Sequence, residues 1–294
     1  MKNLSGKVIV ITGAGSGIGR ALALQLASNG AHLALNDWNT ETLSETLALI
    51  QQQGQGTAIT HPFDVSDRPA WEQFAKIVQE HYGKVDGLIN NAGLTVFPET
   101  IPETHTVDFE RVLQVNVWGT IHGSQVFLPL LMEQQESLLV NISSILGIAG
   151  FAGQGPYVTS KFAVRGFTET LRQELAGTGV QVVCVHPGLV KTNLTRNIKT
   201  EDKQLLEQLS KFFEEAAKTT PEQAAEQIIA GVKRGKVRIV FGQNTWFLDR
   251  ISRLLPSRYH KLMPRTFRPG RLIKKALAAR SAAKSNKKRT PVNK

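Results

Sequence analysis

The sequence holds a single cysteine, Cys184, so no intrachain disulfide can form and a reducing compartment is the setting that fits. Cys184 lies in the apolar run VQVVCVHPG, where a small core residue of a strand is expected rather than a nucleophile. No stretch approaches the ~18 consecutive apolar residues that a membrane span needs. The opening MKNLSGKVIVITGAG has too short an apolar stretch for a signal peptide, so a soluble, cytoplasmic protein is the expectation. Acidic residues are missing from Arg250 to Lys294, where fifteen Lys and Arg stand. The net charge of +11 therefore divides unevenly: positions 1 to 249 hold twenty basic and twenty-four acidic residues, and the rest is a strongly cationic tail.

What is present is enough for one large domain, since a chain of 294 residues buries a sizeable core without staples. Short apolar runs alternate with stretches of helical period. Strands are predicted at 7 to 12, 32 to 37, 57 to 65, 86 to 90, 137 to 143, 180 to 187 and 237 to 241. Helices are predicted at 17 to 29, 40 to 53, 67 to 81, 106 to 134 and 156 to 176, with another opened by Pro221 at the first helical position. Uniformly apolar strands belong in a parallel sheet covered on both faces. The expected fold is α/β, a doubly wound parallel sheet of Rossmann type in a single domain (1 to 245), with ligands at the carboxyl ends of the strands. Residues 189 to 220 read as a polar, helix-prone insertion, 246 to 267 as an amphipathic segment, and 268 to 294 as a basic tail of disordered composition.

The first strand runs into TGAGSGIG, residues 12 to 19. Glycines let the backbone turn sharply and approach a pyrophosphate, which the amides of the following helix N-terminus stabilise. The G-x-G-x-x-G pattern fails because Ile18 and Arg20 occupy the third-glycine positions, and the lysine of a P-loop is missing. What fits is Gly13, Gly17 and Gly19. Asp37 ends the second strand, where a carboxylate accepts hydrogen bonds from an adenosine ribose and repels a 2′-phosphate. No Arg or Lys stands within the glycine turn or next to Asp37, so NAD is favoured over NADP.

Tyr157 and Lys161 are four apart at the start of a predicted helix and so share a face. A free phenol has a pKa near 10, and bringing it to neutrality takes roughly 4 kcal/mol of preference for the phenolate. An ammonium one helical turn away supplies part of that.

TGAGSGIG, FDV (63 to 65), NNAG (90 to 93), Asn116, NISS (141 to 144), Tyr157-x-x-x-Lys161 and HPGLVKT (186 to 192) occur in this order. Together they resemble the short-chain dehydrogenase/reductase family over about residues 4 to 245. The resemblance implies hydride transfer between a nicotinamide cofactor and a ketone or secondary alcohol. It makes Tyr157 the general acid or base and gives Lys161 the nicotinamide ribose. Ser144, rather than its neighbour Ser143, would hold the substrate oxygen, and Asn116 would bridge a water to Lys161. On the cofactor it places Gly13, Ser16, Gly17, Ile18 and Gly19 at the turn. Asp64 and Val65 would contact adenine. Asn90, Asn91, Ala92 and Gly93 would line the adenosine side, with the NNAG turn also stabilising the central sheet, and Pro187, Gly188, Val190 and Thr192 the carboxamide and pyrophosphate. His186 is read as structural, and no metal is called for. The family's habit implies a homodimer or homotetramer through the fourth and fifth helices.

The loops expected around the substrate carry Leu94, Phe97, Ile148, Phe151, Leu194, Leu205, Phe212 and Phe213, without a cluster of cations in the first two. An apolar substrate of lipid, steroid or alicyclic type follows. Phe212 and Phe213 serve equally well as core residues of a packed helix. Reduction of a long-chain aldehyde or acyl thioester is an alternative, and so is a nucleotide-binding redox sensor acting through its tail. In WFLDRISRLLP, Phe247, Leu248, Ile251, Leu254 and Leu255 fall on one arc. With the cations that follow, this segment suits an anionic membrane surface as well as a solvated tail. Nucleic acid suits it less, because no aromatic residues interleave the last positions.

Overall fold

The computed structural model describes residues 1–192, 194, 198 and 203–263. Seven parallel strands form one sheet in the order β3-β2-β1-β4-β5-β6-β7. They are β1 Val8–Thr12, β2 His32–Asn36, β3 Thr57–Thr60, β4 Gly87–Asn90, β5 Ser137–Ile142, β6 Val180–Pro187 and β7 Arg238–Phe241. Strand order reverses between β1 and β4, which opens a crevice at their carboxyl ends.

The helices cover both faces, and the period of two along each strand decides which. Ile9 and Ile11 of β1 face a core shared with Leu22 and Leu26 of α1 (Gly17–Ser28), Ile50 of α2 (Thr40–Gln53) and Ile228 and Val232 of α8 (Pro221–Lys233). Val8 and Val10 face the opposite core. There they meet Trp71 and Phe74 of α3 (Arg68–Tyr82), Phe127 of α5 (Gly119–Met132) and Leu171 of α6 (Gly155–Glu174). At α8 the expected Pro221 start is completed by a capping box between Thr220 and Gln223.

Three elements differ from expectation. The third strand stops at Thr60 instead of 65: Pro62 has no N–H for a ladder, and the Asn36 side chain bonds the carbonyls of His61 (3.2 Å) and Phe63 (2.9 Å) in its place. The single helix expected over 106 to 134 is α4 (Thr106–Leu113), a π-helical turn (Gln114–Trp118) and α5. The extra residue of that turn aims Asn116 inward, and such turns gather at functional sites. Beyond the sheet, α7 (Lys203–Ala216) lies within the insertion, and α9 (Thr245–Leu254) and α10 (Tyr259–Leu262) fold back onto the body. The tail at 268 to 294 lies outside the described residues.

Candidate active site

At the end of β1 the backbone turns through Gly13 (φ 64°) and Gly17 (φ 54°), left-handed conformations that a side chain would strain. A Cβ on Gly13 would lie 2.9 Å from Cα of Ala92, and one on Gly17 would lie 3.1 Å from Thr192 Cγ2. The turn is thus wedged between NNAG and the segment after β6. Ser16 caps α1 without a side-chain bond, and the first turn carries no acid, so the amides of the helix N-terminus are left for an anion. Ile18 packs on the core, and Gly19 is buried against the Gly13 carbonyl.

Asp37 is buried at the crest of β2. Its Oδ2 accepts from the Gly15 amide at 2.9 Å and its Oδ1 from the Asn39 amide at 3.0 Å. A carboxylate has about four acceptor positions, so two remain for a diol. Sequence reading placed no cation at this turn, yet Arg20, one residue beyond it, reaches beneath. Its guanidinium bonds the carbonyls of Gly15 and Thr42 and pairs with Glu45 at 2.7 Å. Signal for this was present only in the spacing of Arg20 from the turn.

Asp64 is exposed, with Oδ1 bound to the amide and hydroxyl of Ser66, and Val65 beside it is buried. Within NNAG the two asparagines diverge. Asn91 braces the glycine turn, donating to the carbonyls of Thr12 (2.9 Å) and Gly13 (3.2 Å). The Asn90 side chain points away from the adenosine side and into the core, where it ties β4 to β5 through Asn141 at 2.9 Å and to Ser124 at 3.1 Å, the sheet-stabilising part expected of NNAG. Thr12, which sequence reading missed, accepts from the amides of Asn91 (3.1 Å) and Ala92 (3.0 Å). On the far side, Pro187 ends β6, the Gly188 amide bonds Phe241 at 2.7 Å, and Val190 forms a bridge with Thr219.

The serine pair separates cleanly. Ser143 Oγ donates to the Lys161 carbonyl at 2.8 Å and is buried. Ser144 Oγ accepts from the Leu146 amide at 3.1 Å and hydrogen-bonds Tyr157. Its backbone is held by His186, whose Nδ1 donates to the Ser144 carbonyl at 3.0 Å. Burial drives that imidazole down to about 4, so it is neutral at physiological pH.

Lys161 is buried, with Nζ donating to the Ile142 carbonyl at 3.0 Å and lying 5.6 Å from the Tyr157 ring centroid. Burial pulls its pKa to about 8. Burial also pushes the Tyr157 phenol up to about 12, and the bond with Ser144 offsets only part of that. The direction opposes the lowering that proton transfer near neutrality needs, so in the protein alone desolvation outweighs the Ser144 bond. Asn116 is fully buried in the π-helical turn. Its Oδ1 accepts from the Leu94 amide at 2.8 Å, and its Nδ2 donates to Leu94 O (3.0 Å) and Ser160 Oγ (2.9 Å). A Cβ on Gly93 would sit 3.2 Å from Asn116 Oδ1 and 3.3 Å from Lys161 Nζ, so both groups flank one exposed point.

Within the insertion, α7 lays Leu206, Leu209, Phe212 and Phe213 against Phe97 and Phe151. Ile148 does not join them: it packs with Leu248 and Ile251 of α9, a correction to its expected place beside the substrate. Leu194 is half-buried, and the Leu205 side chain lies outside the described residues. Buried Thr95 donates to Gln154 Oε1 at 2.9 Å, a polar tie between two loops that sequence reading also missed.

Among the described residues no cluster of His, Cys, Asp and Glu could hold a metal, and no helix is long and apolar enough to cross a membrane. The glycine cradle, the helix N-terminus and the two remaining acceptor positions of Asp37 fit a dinucleotide.

Comparison with known proteins agrees. The family model described as short chain dehydrogenase matches residues 7–203. A protein named as an oxidoreductase, SadH of Mycobacterium tuberculosis, is 41% identical over 266 residues, 90% of this chain and 96% of its own. A short chain dehydrogenase/reductase of Burkholderia phymatum, solved with NAD, superposes with a TM-score of 0.79 at 29% identity, covering 89% of this chain and 96% of that one. An alcohol dehydrogenase of Thermococcus sibiricus, solved with 5-hydroxy-NADP, gives 0.69 at 28% identity, covering 80% and 96%. The chain belongs to the short-chain dehydrogenase/reductase family and is a nicotinamide-dependent oxidoreductase acting between CH–OH and C=O groups.

Proposed function

We propose that the protein interconverts an apolar ketone and its secondary alcohol, with Tyr157 exchanging the proton and NAD preferred to NADP. One observation carries the reading: the Tyr157 phenol is hydrogen-bonded to Ser144 and near the Lys161 ammonium, and α7 packs apolar side chains on Phe97 and Phe151 of the loops that follow β4 and β5. Ser144 orients the substrate oxygen toward the phenol. The nicotinamide, when bound, supplies or accepts the hydride. Lys161 holds the ribose and favours the phenolate, offsetting the desolvation that raises Tyr157. Asn116, whose Oδ1 keeps a free lone pair, and Lys161 hold a water at Gly93 through which the proton reaches solvent. The Asp37 carboxylate takes the adenosine ribose hydroxyls. Arg20 is occupied by Glu45 and two carbonyls, which supports NAD because it leaves no unengaged cation at the turn for a 2′-phosphate. Two copies pair through the exposed Trp118 and Phe162.

The test is turnover of a panel of apolar ketones and alcohols with NAD(H) and NADP(H), with Tyr157→Phe beside the intact protein. Loss of roughly 100-fold or more in kcat with cofactor binding retained is expected for a general acid–base group. Unchanged kcat in the variant would remove Tyr157 from the chemistry.

A further inference from the structure

The periodicity of the C-terminal segment puts five apolar residues on one arc of α9, but packing divides that arc. Leu248 and Ile251 bury against Ile145, Ile148 and Ala149 of the loop that follows Ser144. Trp246, Phe247 and Leu254 stay 63%, 45% and 77% exposed. Leu255 and Leu262 continue this apolar surface toward α10. Arginines interleave it: Arg250 stacks over Trp246 at 4.2 Å, and Arg253 and Arg258 are exposed. The sole acid from Thr245 to Met263, Asp249, is neutralised by Arg238 at 2.7 Å and Arg253 at 3.1 Å. Positions 264 to 294 add eleven Lys and Arg and no acid.

We propose that the outer face of α9 and α10 docks on an anionic lipid bilayer. Tryptophan, phenylalanine and leucine enter the boundary between headgroups and acyl chains while arginines meet phosphates, and each cation near such a surface contributes about 1 kcal/mol. Charge argues against a second copy as occupant. A two-fold pair would set this cationic face against itself, with no unpaired acid to receive it. The proposal rests on the surface alone and does not depend on the chemistry at Tyr157. Because the inner face of α9 packs on the loop after Ser144, a docked bilayer lies about one helix diameter, ~10 Å, from that loop.

The test is sedimentation of the full chain with vesicles of phosphatidylcholine alone and of phosphatidylcholine with phosphatidylserine. Strong pelleting with the anionic vesicles only is expected. Trp246→Ser/Phe247→Ser/Leu254→Ser should weaken it by roughly tenfold or more while the thermal midpoint and the mass in solution stay unchanged, since the side chains removed are exposed. Blue-shifted tryptophan emission on anionic vesicles, lost in Trp246→Phe, gives a readout that does not depend on the triple variant. Absence of pelleting by the intact chain overturns the proposal. Equal pelleting of the triple variant also overturns it, because the cationic tail would then suffice. A fall in solution mass of the variant with unchanged pelleting would assign the face to a second copy.

Discussion

Replacing Lys161 by methionine removes an ammonium that is only 4% exposed and keeps a chain of similar length in its slot. Burial moves that ammonium from 10.5 to about 8, which at about 1.4 kcal/mol per tenfold change in proton affinity is roughly 3 kcal/mol against the charged form. The bond to the Ile142 carbonyl is lost in exchange, at about 1 kcal/mol. The variant should therefore be about 2 kcal/mol more stable than the intact protein at pH 7 while its turnover is abolished. The pH dependence carries a definite sign. Between pH of about 8 and 10.5 the unfolded chain binds the Lys161 proton and the folded chain does not, so this site makes the intact protein more stable as pH rises through that window. The variant lacks that rise, and its advantage fades by about pH 10.5. Urea unfolding at pH 7 and pH 10, followed by tryptophan fluorescence, measures both. A variant less stable at pH 7, or a difference that stays constant between the two pH values, would refute the view that Lys161 is held against a desolvation cost.

Two further outcomes follow from the hydrogen bonds described. Asp37→Ala frees the amides of Gly15 and Asn39 and removes the acceptor for the ribose, so titration of cofactor fluorescence should show NAD affinity falling roughly tenfold and the preference over NADP collapsing. An unchanged preference would mean the carboxylate does not set it. Tyr259→Phe deletes the hydroxyl that accepts from the Gly150 amide at 2.9 Å, so steady-state kinetics should show KM for an apolar ketone rising several-fold, roughly 1 kcal/mol, with kcat little changed. An unaltered KM would show that α10 leaves the shape of that loop alone.

The parallel sheet and the order of its motifs were legible because the central strands, such as VIVIT and SLLVNI, are mostly apolar and the turns carry their glycines at conformationally demanding places. Tyr157 and Lys161 were legible as a pair through their spacing on one helix, whereas Ser144 was separated from Ser143 only by the family resemblance. The π-helical turn was not: whether residues 114 to 118 continue an α-helix depends on the Leu94 backbone, which grips the Asn116 side chain from a loop 22 positions away. Asn90 and Asn91 look alike in sequence, and only the sheet decides that one faces the core and the other the glycine turn. Periodicity likewise gave the apolar arc of α9 as one surface, because a helical period cannot tell a residue under a loop from its neighbour in solvent. The upward displacement of the Tyr157 pKa is a property of the cavity and has no sequence signature.

The bond from the Gly150 amide to Tyr259 spans 109 positions of chain. During synthesis, β1 to β6 leave the ribosome before α8 brings Ile228 and Val232 to the core of α1 and before Phe241 of β7 receives the Gly188 amide. The loop that follows Ser144 has to wait for α9, α10 and Met263 to supply its other wall. Both the nucleotide cleft and the loop after Ser144 are therefore completed only by the last third of the chain. Affinity for the nucleotide and competence to react thus arrive late in translation and close together.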